Sequence, residues 1–257
     1  MNRLFEVMEK LNPEFITEGI IQIPNEILSK IDGLYEYIRK NNQRLMTSAG
    51  SSYNSPYLDP NLKNFFMFSD LNNAPLNISV GIYNDEKDAG AGRMDTANDV
   101  LLINLPFFIT NKADFKSMIE HELVHAKDPL VRTNNLWGAY YAKSGAEPDL
   151  NMSKYLKSQH EYNAFLTTLI TTLKSGNIDA KWIINYFNYV KNYNGTVSDL
   201  YYDTPDDTKK YLSFNNSDDN AGYWSFLANY FDAIKSWGTK PTLYNDMAKK
   251  IYSELNK

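Results

Sequence analysis

Lys112-Ala-Asp-Phe-Lys-Ser-Met-Ile-Glu-His-Glu-Leu-Val-His-Ala-Lys-Asp-Pro129 is the stretch from which the rest of the chain is best read. Met118, His121, Glu122 and His125 fall on one stripe at helical spacing, and Ile119, Leu123 and Ala126 on an adjacent apolar stripe that faces a core. Asp114 suits the positive end of a helix, and Pro129 biases Asp128 away from helical geometry. The pattern predicts a helix from about Ala113 to Lys127. Inside it, His121-Glu-Leu-Val-His125 has the HExxH form. Residues four apart lie one above the other on a helix, so two imidazoles can grip one metal ion. Glu122, next to the first of them, then points near the open side of the metal, where a water would sit. At about 1% His and about 5% Glu, chance supplies roughly 0.002 such motifs in a chain of this length.

Upstream, Val100-Leu-Leu-Ile-Asn-Leu105 is a short apolar, β-branched run closed by Pro106, and reads as a strand. A strand, a short loop and then an HExxH helix is the order found in zincin metallopeptidases, which the region from Asn77 to Leu173 resembles. The resemblance implies an α+β, zincin-like fold, with a small mixed sheet packed on the HExxH helix and a largely helical C-terminal part. It also implies zinc as cofactor, peptide hydrolysis through a metal-activated water, and Glu122 as general base, with a peptide or protein as substrate. The His-Glu-Leu-x-His stretch is similar as well to clostridial neurotoxin light chains, a match confined to those residues and a downstream glutamate.

Catalytic zinc takes three protein ligands and keeps one position for water. The only other histidine is His160, directly beside Glu161 in Ser158-Gln-His-Glu-Tyr-Asn-Ala-Phe165. Ser153 to Lys174 reads as a second long helix, with Tyr162, Phe165 or Leu166, Leu169 and Leu173 as its apolar stripe and Gly176 after its end. Adjacent helical residues diverge by about 100°, so Glu161 and His160 compete for the third position. In gluzincins the third ligand is a glutamate from a later helix, which favours Glu161, and the small Ala164 one turn on leaves room for a close approach. Some gluzincins carry an aspartate four residues after that glutamate to support a zinc histidine. Here Phe165 stands in that place, which leaves Asp128 and Asp114 as the candidates. For an oxyanion, Tyr140, Tyr141, Tyr155, Tyr162 and Arg132 are available, although any one tyrosine also suits a core or rim.

Composition narrows the partners. The 257 residues are 43% hydrophobic and 22% charged with a net charge of -5, ordinary for a globular protein and unfavourable for a nucleic-acid partner. The absence of cysteine removes disulfides, thiolate metal sites and thiol nucleophiles. No apolar run is long enough to span a membrane and the N-terminus has no secretory h-region, so the expectation is a cytoplasmic protein, or one released or virion-associated without a signal peptide. Leu4-Phe-Glu-Val-Met-Glu-Lys-Leu-Asn-Pro13 resembles the openings of uncharacterised phage proteins, and that resemblance raises the alternative of a virion-associated or partner-binding protein with a zincin fold and little turnover.

The remaining chain reads as scaffold in three segments. Residues 1–75 form a helical and loop segment, with Leu4, Val7, Met8 and Leu11 at helical spacing, a helix over Pro24 to Arg39, and a loop over 47–62. Residues 76–175 form the zincin-like core. In it Leu76–Tyr83 is a half-buried strand, Asp88–Arg93 a turn without a phosphate-loop signature, and Thr96–Leu105 a strand that pairs with Leu76–Tyr83. A connection from Leu130 to Met152 follows the first ligand helix. Residues 176–257 are helical, over Trp182–Val190, Tyr223–Trp237 and Leu243–Leu255, with the acidic run Asp199–Asp207 as a solvated loop.

Overall fold

The computed structural model describes residues 20–88, 90–108, 112–128, 156–206, 208 and 230–257. These fall into two compact units, one containing 21–128 and the other containing 156–257 with Ile20. The expected helix over Leu4 to Leu11 and the connection from Leu130 to Met152 lie outside the described residues.

The first unit is mixed α and β. Helix α1 (Asn25–Ser48) follows Pro24, and buries Ile27, Ile31, Leu34, Tyr35 and Ile38 at the helical spacing the sequence carries. It runs beyond Arg39 because Leu45 continues the same face and is fully buried. Strands β1 (Tyr57–Leu58), β2 (Phe66–Ser69), β3 (Pro75–Tyr83), β4 (Gly92–Asp95) and β5 (Val100–Asn104) make a mixed sheet in the order β1-β3-β5-β4, with β2 also paired to β3. β3 and β5 pair in parallel from Ser79↔Val100 to Tyr83↔Asn104, and the other pairings are antiparallel. Val100 to Asn104 is buried at every position, as a strand flanked on both sides should be.

The strand expected over Thr96–Leu105 starts only at Val100. Thr96 to Asp99 is a turn, and the glycine-containing stretch before it supplies β4. Asp95 draws that turn closed by accepting from the N–H groups of Ala97 and Asn98, and Asp99 takes a left-handed φ of 53°. The loop before β4 is fixed by Asn104, whose side chain bonds the backbone of Asp85 and Asp88 from a fully buried position. Helix α2 (Lys112–Lys127) then buries Phe115, Ile119, Leu123 and Ala126 completely. Phe115 meets Tyr35 of α1 and Phe108 at ring distances of 5.5 and 5.4 Å.

The second unit is helical: α3 (Gln159–Ser175), α4 (Ala180–Asn192), α5 (Val197–Asp203), helical residues 230–238, and α6 (Pro241–Leu255). Its core gathers Tyr162, Leu166, Leu169 and Leu173 of α3 with Phe187, Trp237 and Ile251. Phe165 is the partly exposed member of the expected stripe. α3 starts later than the spacing suggested, because Ser158 is extended and sits at its N-cap position. At its end the left-handed residue is Asn177 (φ 50°), not Gly176. The acidic run is not all loop: Asp199 closes a capping box with Thr196 and starts α5. Among the described residues no helix is long and apolar enough to cross a membrane.

Candidate metal centre

Helix α2 sets His121 and His125 one turn apart, as i and i+4 must be. Their Nε2 atoms are 3.2 Å from each other and the rings stand at 89°. His125 is 1% exposed, and its burial follows from its place beside Leu123, Val124 and Ala126 on the inward side of the helix.

Glu122, between them in sequence, turns toward the sheet. Its Oε2 accepts the backbone N–H of Met94 at 2.8 Å. Met94 lies on β4, the last strand in the order, and its N–H points out of the sheet edge instead of into the ladder with β5. The strand lies close on the helix at Gly92, where a Cβ would stand 2.5 Å from Sδ of Met118 and push that side chain aside. Neither contact is visible in the HExxH motif itself. The two closely spaced glycines, Gly90 and Gly92, were the signal, since a glycine inside a strand often marks a close backbone approach.

Glu161 occupies the third position of α3, where the helix dipole favours a carboxylate, and is fully buried. Its Oε1 is 3.7 Å from Nε2 of His160. His121, His125 and Glu161 form a group that could hold a metal ion: each offers one ligand atom, and these atoms lie within 4.8 Å of one another. His160 is not in that group.

The other expected site residues fare differently. Tyr162 is a core residue, with its hydroxyl 2.5 Å from Oδ2 of Asp246 and its ring edge-on to Trp237. Arg132, Tyr140, Tyr141 and Tyr155 lie outside the described residues. Compared with known proteins, the chain matches no family model, no curated protein and no solved structure.

Proposed function

We propose that the protein is a zinc-dependent peptidase of the gluzincin type, in which His121, His125 and Glu161 hold the metal and Glu122 is the general base. The observation that carries this reading is the His-His-Glu group built on an HExxH helix. Its donor set is that of catalytic zinc, two imidazole nitrogens and a carboxylate with a fourth position left for water. The spacing of the histidines supports it further. Two nitrogens bound to zinc at about 2.0–2.1 Å and the tetrahedral angle stand about 3.3–3.4 Å apart, and Nε2 of His121 and Nε2 of His125 are 3.2 Å apart. A divalent cation also offsets the burial of the Glu161 carboxylate, which is costly for an anion in a protein interior.

Zinc bound there supplies a water acidified toward neutrality and a polarised scissile carbonyl. Glu122 takes the proton from the attacking water and passes it to the leaving amine. The N–H of Met94 holds the Glu122 carboxylate in one orientation through Oε2.

Glu122→Gln separates binding from chemistry. The variant keeps its zinc, while hydrolysis of a quenched-fluorescence peptide library falls by about 100-fold or more, the contribution of a positioned base. Turnover in the variant near that of wild type removes Glu122 from the mechanism.

A further inference from the structure

A second surface, on the helical unit alone, points to a ligand of another kind. Trp182, Tyr186, Tyr189 and Tyr193 follow one another at i, i+4, i+7 and i+11, one stripe along α4 and its C-cap. Their rings form a ladder with successive centroid separations of 5.5, 6.3 and 5.7 Å. The ladder is rooted at Tyr186, 7% exposed in the core, and emerges at Tyr189, 46% exposed. Tyr193 is held at both ends: its phenol donates to the Asp203 carboxylate and its backbone carbonyl accepts from Lys235. Exposed Asn188, Asn192 and Asn194 flank the two outer rings, and with them line a shallow depression of about 630 Å³.

We propose that this depression binds an uncharged oligosaccharide, with Tyr189 and Tyr193 as the stacking platform. Three features select that chemistry. Among the described residues the lining is phenol and carboxamide, with no charge to offer a polyanion. Two described cations of this unit are engaged elsewhere, Lys191 over the Tyr244 ring at 4.3 Å and Lys235 on the Tyr193 carbonyl. Single-stranded nucleic acid needs a cationic groove beside its aromatic platform, and this chain carries a net charge of -5. Asn188 Oδ1 accepts from the Tyr244 hydroxyl and Asn192 Nδ2 donates to the Asn188 carbonyl, and the second donor and acceptor positions of these carboxamides suit vicinal hydroxyls, while the flat C–H face of a pyranose fits an aromatic ring. Tyrosines fixed in place bring contact area at small cost in conformational entropy.

The test is native affinity electrophoresis of the full chain in gels containing hydroxyethylcellulose, laminarin, arabinoxylan or glycol chitin. Calorimetry then uses the hexasaccharide of any polymer that retards migration. At least one polymer retards wild type, and Tyr189→Ala and Asn192→Ala each weaken hexasaccharide binding roughly tenfold. Both positions are solvent-facing, so circular dichroism of the variants matches wild type. His121→Ala binds the sugar as wild type does, which separates this site from the metal centre. The proposal is overturned by retardation in none of the gels, or by binding that survives both α4 substitutions. It is equally overturned by binding lost with His121→Ala, or by a surface that instead captures oligo-dT or a polyproline peptide through Tyr189.

Discussion

Replacing Tyr162 with phenylalanine deletes one hydroxyl from the core of the helical unit and leaves the ring in place. That hydroxyl is 2.5 Å from Oδ2 of Asp246, the ring is fully buried, and its edge meets Trp237 at 5.0 Å. A hydrogen bond to a charged partner contributes about 1.5–3 kcal/mol. The lower part of that range applies, because the Asp246 side chain is 22% exposed and retains Lys250 at 3.3 Å. Tyr162→Phe therefore costs about 1.5–2 kcal/mol, roughly 3–8 °C in Tm for a chain of this size. Urea unfolding followed by circular dichroism measures it. A double-mutant cycle with Asp246→Asn isolates the pair, whose coupling is about 1 kcal/mol or more. Zinc content stays at the wild-type level, because Glu161 leaves α3 about 100° away from Tyr162. A cost under about 0.5 kcal/mol, or strict additivity in the cycle, would refute the assignment of Tyr162 and Asp246 as a tie between α3 and α6.

Two further predictions concern pH. Burial alone would raise the Asp59 carboxyl, but the N–H of Asn61, Arg44 and Tyr37 together hold it below its ordinary value. Its stabilisation is therefore present above the ordinary carboxylate pKa and is lost as pH falls through the lower folded value. Asp59→Asn destabilises by about 1–2 kcal/mol at neutral pH, since Arg44 is itself half exposed, and the gap to wild type in urea midpoint closes below about pH 4. A gap constant from pH 7 to pH 2 would contradict this. At the other extreme, burial pushes the phenols of Tyr83, Tyr162 and Tyr244 up, aided by Asp88 at Tyr83 and by Asp246 at Tyr162. Their stabilisation is complete below about pH 10 and falls as pH rises, because the unfolded chain ionises first. An ultraviolet phenolate titration then shows these tyrosines ionising only with unfolding; all 19 titrating together in the folded state would contradict it.

What could be read in the sequence was what local periodicity controls. The i, i+4 histidines, the buried stripe of Ile119, Leu123 and Ala126, and the apolar run Val100–Ile103 of β5 each follow from the geometry of a single element. An α+β architecture with a small mixed sheet followed from those elements. Features that depend on how elements meet were hidden. Gly90 and Gly92 look like turn residues, yet Gly92 belongs to a strand that lies against Met118. The hydrogen bond from Met94 to Glu122 joins residues 28 apart and depends on the register of β4, which no motif encodes. Asp199 read as one of several acidic loop residues because its capping partner, Thr196, lies upstream of the acidic run. On α4 the spacing does not show which tyrosines are buried, and only their burial separates Tyr186 from Tyr189.

The most direct test of the central claim is metal content per chain by elemental mass spectrometry, for wild type beside His121→Ala, Glu161→Gln and His160→Gln. The account predicts close to one zinc in wild type and in His160→Gln, and little in His121→Ala and Glu161→Gln. Wild type without zinc after reconstitution, or zinc retained in Glu161→Gln, would contradict it.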